Sequence, residues 1–372
     1  MSDTDAPTDV AGSQGIENQE SCSSGQRSQS ENRNRAIIVA YLVENVAEFR
    51  KLNGLRKKGW NSKYGDRFFE RQRAIADNPD TKAVKHFYYM MGKIGNEIHL
   101  STGAFRVSRS REDPMILDMC MAPGGFVKKA LELNPKSRAL AFSLPPSKGG
   151  HEVLLPESPK VALRFLDITM LAADMGVAEI PADHPDAKNF LPQQFQSEQL
   201  FDLIFCDGQV LRTHERAAYR NCLMREPCRL TVTQLALGLE HVRENGTMIV
   251  LLHKLESWES VQVLYTFSKF CSVRVFKPGR FHAKRSSFYM VATKIQNRHP
   301  EAVLAVSRWK QLYRAATFGT DEEYKEENEE NGLRVETVLE EFGPELVRLG
   351  RDIWNIQAAA LAKAPFMKDA LD

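Results

Sequence analysis

Four short stretches hold residue types that can do chemistry together. ILDMCMAPGGFVKKAL (116–131) reads as a strand ending at Asp118, a loop carrying Ala122, Pro123, Gly124 and Gly125, and a helix entered at Phe126. Paired glycines after a first strand let backbone approach a ligand closely, where open α/β sheets bind cofactors. FDLIFCDG (201–208) is an apolar strand ending in Asp207, and GTMIVLLHK (246–254) is another ending in Lys254. KPGRFHAKRSSFYMVATKI (277–295) is a basic loop leading into a last strand. The carboxyl ends of neighbouring parallel strands converge on one crevice, so Asp207 and Lys254 are expected near each other, facing what the glycine loop holds. The loop is not GxGxxG and no P-loop sequence occurs, so a dinucleotide or a nucleoside triphosphate is less favoured. Each feature alone has a plainer explanation: PGG is a turn, a strand-terminal Asp caps the next helix, a strand-terminal Lys is solvated. The ordered set is harder to dismiss.

The elements that must position these residues follow from the hydrophobic pattern. Apolar runs at 114–121, 138–145, 161–168, 201–208, 246–254, 272–278 and 287–295 alternate with helical segments at 126–133, 231–245 and 257–270. The continuous apolar character of the middle runs fits strands buried on both faces of a mainly parallel sheet, and the alternation argues an open α/β fold. Asn245-Gly246 is expected to end the second of those helices. The stretch 176–199 lacks periodicity and reads as a surface insertion. Around this core lie a disordered tail over 1–34, a basic helical region over 35–112, and a helical C-terminal extension over 297–372 with a solvated acidic linker at 321–331; the α/β domain itself spans 113–296.

Composition narrows the partners. The chain has 372 residues, with 50 Lys+Arg against 48 Asp+Glu, so its balance of +2 is informative only in its distribution. Residues 50–93 carry twelve Lys/Arg and four acids, with Trp60, Tyr64, Phe68, Phe69, Phe87, Tyr88 and Tyr89 interleaved. Residues 274–310 carry nine Lys/Arg and one acid. Cations beside stacking aromatics suit a nucleic-acid surface, although a solvated helical face with core aromatics would read the same way. The six cysteines (22, 120, 206, 222, 228, 271) form no CxxC pair and no zinc spacing, so reduced thiols and no metal are expected. The acidic start MSDTDAPTDV resembles neither a secretory signal nor a basic transit peptide, and no apolar run approaches the ~20 residues of a membrane span. A soluble protein of the cytoplasm or nucleus is expected, the mitochondrion not being excluded, with a monomer favoured.

DMCMAPGGF, FDLIFCDG, GTMIVLLHK and the KP…SSFYMVA segment occur in an order that resembles the FtsJ-like (RrmJ-type) RNA ribose 2′-O-methyltransferases over roughly residues 85–296. The resemblance implies a Rossmann-like sheet of seven strands, one of them antiparallel. It also implies S-adenosylmethionine as methyl donor, bound around Asp118, Ala122, Pro123, Gly124, Gly125, Phe126, Ser143, Asp167 and Asp207, and single-stranded or end-positioned RNA as acceptor. The family uses a Lys–Asp–Lys–Glu tetrad. Asp207 matches its Asp and Lys254 its second Lys; Lys93 in GKIGNEI is the best match for the first, with Lys85 as fallback. Ser287 stands where the family has Glu, and Ser143 where an acid commonly ends the second strand; Glu256 is a possible substitute acid. The expected activity is therefore methyl transfer to RNA, with a catalytically weakened RNA-binding relative as the alternative. Methylation of a protein or small molecule would leave the basic clusters unexplained.

Overall fold

A computed structural model describes residues 29–108, 112–210, 225–329 and 333–367. Four helices come first: α1 (Gln29–Asn45), α2 (Ala47–Trp60), α3 (Lys63–Asp77) and α4 (Thr81–Thr102). The α/β part follows as β1 (Met115–Asp118), α5 (Gly125–Leu133), β2 (Arg138–Ser143), β3 (Val161–Phe165), β4 (Phe201–Cys206), α6 (Arg225–His241), β5 (Val242–His253), α7 (Trp258–Ser268), β6 (Ser272–Phe276) and β7 (Ser287–Ile295). Helices α8 (Pro300–Phe318), α9 (Asp321–Glu329) and α10 (Val335–Ala362) close the chain.

The seven strands form one sheet in the order β3-β2-β1-β4-β5-β7-β6. Strands β1 to β5 pair in parallel, and β7 runs antiparallel between β5 and β6. The chain builds outward from β1 to β3 and then returns to lay β4 on the other side of β1. That reversal opens a crevice at the carboxyl ends of β1 and β4, where such sheets bind ligands. Period-two alternation explains why both faces are covered. Ile116, Leu203, Phe205 and Val291 point into one buried cluster with Ile94 and Ile98 of α4 and Phe126 of α5. Leu117, Ile204, Cys206 and Met290 point into the other, with residues of α1, α2, α6, α7 and α10.

Three segments differ from the sequence expectation. Residues 29–34, assigned to the tail, start α1; residues 1–28 lie outside the described part. The end of the helix expected over 231–245 is strand: β5 begins at Val242, Asn245 sits at φ 62, and the pairing register shifts between Gly246 and Met248. Asn-Gly here makes an irregularity inside a strand, because both residues tolerate the left-handed region that a bulge needs. The acidic stretch over 321–331 forms α9 through Glu329, with Asp321, Glu322 and Glu323 in the first turn, where the helix dipole favours negative charge. Arg225 on α6 pairs with Asp321 at 2.5 Å.

α10 runs alongside α2, and its Trp354, fully buried, meets Phe49 edge-on at 5.3 Å between ring centres. α4 lies across α5 so closely that a Cβ on Gly125 would stand 2.5 Å from the Tyr88 carbonyl oxygen and 2.8 Å from the Gly92 nitrogen.

Candidate active site

A cavity of about 950 Å³ opens over the carboxyl ends of β1, β2 and β4. Its floor holds Met119, Cys120, Ala122, Pro123, Ser143, Asp167, Asp207 and Gly208, and α3, α4 and the loop between β6 and β7 wall its mouth. Gly208 must be glycine, since a Cβ there would lie 2.3 Å from Cys120 Sγ. Gln234 of α6 pins the same turn: its Oε1 accepts from Gly208 N at 2.9 Å and its Nε2 donates to Gly208 O at 3.4 Å.

Two carboxyl groups meet at the β1/β4 reversal. Asp118 is fully buried, and its Oδ1 accepts from Cys120 N at 3.1 Å. Asp118 Oδ2 and Asp207 Oδ1 are buried and accept no hydrogen bond from the described residues. Burial, together with the charge of Asp207, pushes Asp118 well above the usual carboxylate range; burial raises Asp207 to about 7. Two neighbouring buried carboxyls resist double ionisation, so the pair holds a proton near neutrality. Asp167 spends one oxygen on the next turn, where it accepts from Thr169 N at 3.0 Å and Thr169 Oγ1 at 2.9 Å. Ser143 ends β2 beside it, largely buried.

The mouth is basic and aromatic. Arg71 of α3, Lys82 of α4, and Arg280 and Arg285 of the β6–β7 loop line it. Phe87 stacks on His151 at 6.0 Å, Phe281 meets His86 and Tyr89 edge-on, and the Arg280 guanidinium lies over Phe281. His282 stands in the left-handed region at φ 58, and burial with the nearby Arg285 and Lys277 charges lowers it to about 4.

The residues expected at the site are only partly brought together. Ala122, Pro123, Ser143, Asp167 and Asp207 line the cavity, with Asp118 directly behind. Gly124 and Gly125 serve close packing instead: Gly124, at φ 105, starts α5 against Leu155, Gly125 admits α4, and Phe126 is core. Lys93 is exposed on α4, its Nζ 5.3 Å from the Tyr89 ring centre, and Lys85 is exposed too. Neither they nor Lys254 and Ser287 line the cavity. The register explains Lys254. Cys206 pairs with Val250, so Leu251 lies level with Asp207, and Lys254 comes three residues later, about 10 Å along a strand. Lys254 takes a left-handed turn at φ 52 and donates its amide to Ser286 O at 3.0 Å. Glu256, the possible substitute acid, pairs with Arg56 of α2 at 2.5 Å. Sequence reasoning missed Gln234, Leu251, His151 and Tyr289, all set by tertiary register; Arg71, Lys82, Phe87 and Lys277 stood out only as members of basic segments.

A family model described as FtsJ-like methyltransferase matches residues 98–295. The chain belongs to the FtsJ-like methyltransferase family. No curated protein sequence matches it. Solved structures resemble it distantly. An O-methyltransferase family protein from Burkholderia thailandensis is 11 % identical over 61 % of this chain, which spans 62 % of that protein's length, with a TM-score of 0.32. The N-methyltransferase NodS from Bradyrhizobium japonicum is 14 % identical over 59 % of this chain and 99 % of its own, at 0.34. Human methyltransferase-like protein 13 in complex with SAH is 13 % identical over 62 % and 92 %, at 0.31.

The methyl donor of this FtsJ-like methyltransferase is S-adenosylmethionine, and the residues present fit it. The donor is a nucleoside carrying cationic ammonium and sulfonium groups. The two unpartnered carboxylate oxygens of Asp118 and Asp207 are matched to cationic or N–H donors, while Ser143 and Asp167 offer polar groups at the ends of β2 and β3. The volume lies within the range of pockets for ligands of this size. Among the described residues no His/Cys/Asp/Glu cluster could hold a metal ion, and no helix is long and apolar enough to cross a membrane.

Proposed function

We propose that this methyltransferase acts on a ribose 2′-hydroxyl of RNA, presented as a single strand or an end. The observation that carries the reading is one continuous cavity with carboxyl groups on its floor and Arg71, Lys82, Arg280 and Arg285 among Phe87, His151 and Phe281 at its mouth. Guanidinium and ammonium groups suit phosphates, and flat rings suit unstacked bases. When bound, the donor supplies a methyl group already activated by its sulfonium. What remains for the chain is to orient the acceptor and receive its proton. Asp207 is the residue for that step, because a carboxyl held near 7 is an effective proton acceptor at neutral pH. Burial keeps that value high.

Lys254 lies in the turn just past β5 and does not line the cavity with Asp207, so we assign its contribution to the turn it makes with Ser286. Asp207→Asn should therefore lower methyl transfer to RNA by roughly 10²–10⁴-fold, and Lys254→Ala by much less. Equal losses in the two variants would overturn this assignment and restore the lysine.

A second reading is favoured by Leu251 and Tyr289, which hold the β5 and β7 positions nearest Asp207, and by Ser287 in place of an acid. On that reading the chain binds donor and RNA without transfer. Donor titration followed by labelled methyl transfer onto mixed RNA pools separates the two. Transfer supports the first, binding without transfer selects the second, and absence of donor binding removes both.

A further inference from the structure

The loop 277–286 supplies Arg280, Phe281, His282 and Arg285 to the cavity mouth. A loop with this many charges would ordinarily move freely. Here it is wrapped around one amine. Lys277 is 2 % exposed, and its Nζ donates to three backbone carbonyls: Arg285 O at 2.6 Å, Ser287 O at 2.8 Å and His282 O at 3.3 Å. An ammonium has three donors and no acceptor, so these contacts use its full capacity. They close the loop at both ends and hold His282 in its left-handed conformation, with Arg285 N also donating to His282 O at 2.9 Å.

Behind the loop stands a second buried set that belongs to the flanking helices. Arg56 of α2 pairs with Glu256 at 2.5 Å and donates to Gln357 Oε1 of α10 at 2.7 Å. Gln357 Nε2 donates to Lys284 O, in the same loop, at 3.2 Å. Glu256 and Gln357 are each 3 % exposed. Glu256 sits two residues after Lys254, so the turn leaving β5 and the loop entering β7 are tied to one ion pair.

We propose that Lys277 is a positioning residue: its ammonium latches the loop that forms the cavity mouth, and α2 and α10 anchor the latch through Arg56, Glu256 and Gln357. The helices outside the family-matched region thereby become part of the site's construction. A neutral amine has only two N–H donors and turns a lone pair toward the third carbonyl, so the latch loosens when the proton leaves. The charged groups around Lys277 are Arg56 from α2, Glu256 from the turn after β5, His253 at the end of β5, and His282 and Arg285 from its own loop. Burial and Arg56 bring Lys277 down to about 7, against the opposing pull of Glu256. His253 and His282, each lowered to about 4, stay neutral across the range in which Lys277 titrates.

The test is amide hydrogen exchange of the peptide 278–286 on the full chain, corrected for intrinsic rates, from about pH 6 to about pH 8.5. Protection should fall by about tenfold across that range while the β4 peptide 201–206 stays constant. The Asp207→Asn protein, in which the other group near 7 is removed, should show the same fall. Lys277→Met should be poorly protected at every pH, and Lys277→Arg should restore a high, flat profile. If neither substitution folds, the wild-type profile decides alone. A wild-type loop already unprotected at pH 6, a Lys277→Met loop as protected there as wild type, or a fall that vanishes in Asp207→Asn overturns the latch. None of these results bears on which acceptor is methylated, because no acceptor is present.

Discussion

A carboxyl group buried away from water loses its solution acidity, and Asp207 shows the consequence. Its value rises from 3.8 to about 7 because the ionised form is poorly solvated. The folded chain therefore keeps a proton that the unfolded chain gives up. Stability falls as pH climbs from about 4 to about 7, and the penalty is complete above that. Asp207→Asn removes the penalty, so the donor-free variant should melt above wild type at pH 8 and no higher than wild type at pH 4. A variant melting below wild type at pH 8 would mean that the carboxylate has a partner in the free protein. Donor binding acts on the same proton. A cation beside Asp118 and Asp207 favours their ionised forms, so binding near pH 7 should release protons. Calorimetry in buffers of different ionisation heat reads the number released. A binding heat that does not change with the buffer would place the donor's cations elsewhere.

At the scale of elements, contact between α4 and α5 decides where the cavity wall stands. Gly125 lets the helices touch backbone to backbone, and the atoms a Cβ would strike, Tyr88 O and Gly92 N, cannot swing aside. Gly125→Ala should cost about 1–3 kcal/mol from overpacking and push Phe87 and Met91 outward, weakening donor binding as well as lowering the melting temperature. An alanine variant with unchanged melting and affinity would show that α4 is not held by this crossing. The same helices mark how far the sequence could be read. Strands β1, β2, β4 and β7 were legible because strands covered on both faces leave continuous apolar runs, and Asp118 and Asp207 because they end such runs; Ser143 and Asp167 came from the family resemblance. The start of β5 was not, since Val242 continues the apolar stripe of Leu235 and Leu239, and its pairing with Phe201 of β4 makes it strand. α9 was hidden by its charge, which reads as solvated linker until Arg225 and the helix dipole are counted. The displacement of Lys254 was invisible for a related reason. A strand-end lysine gives no sign of register, and the three-residue offset from Asp207 appears only when β4 is laid against β5.

Across the whole molecule, charge is nearly balanced yet sorted: acids sit on the cavity floor and on α9, and four cations ring the mouth. That sorting makes a quantitative demand. Single-stranded nucleic acid releases counterions when phosphates are neutralised, so log affinity should fall with log salt at about −0.7 per phosphate contacted. With Arg71, Lys82, Arg280 and Arg285 engaged, the expected slope is about −3. Arg280→Ala should reduce its magnitude by about 0.7 and weaken binding alike for every sequence, because a phosphate contact carries no base information. Removing the Phe87 ring should instead lower affinity by about 1–3 kcal/mol with the slope intact, since stacking displaces no counterion. Donor affinity should change little in either variant, since neither residue lies on the cavity floor with Asp207. A salt slope near zero for the wild type would reduce the cationic rim to a solvated surface and return the aromatic rings to packing. An Arg280→Ala protein with the wild-type slope would move the RNA path off the β6–β7 loop, onto the exposed face of α3 and α4.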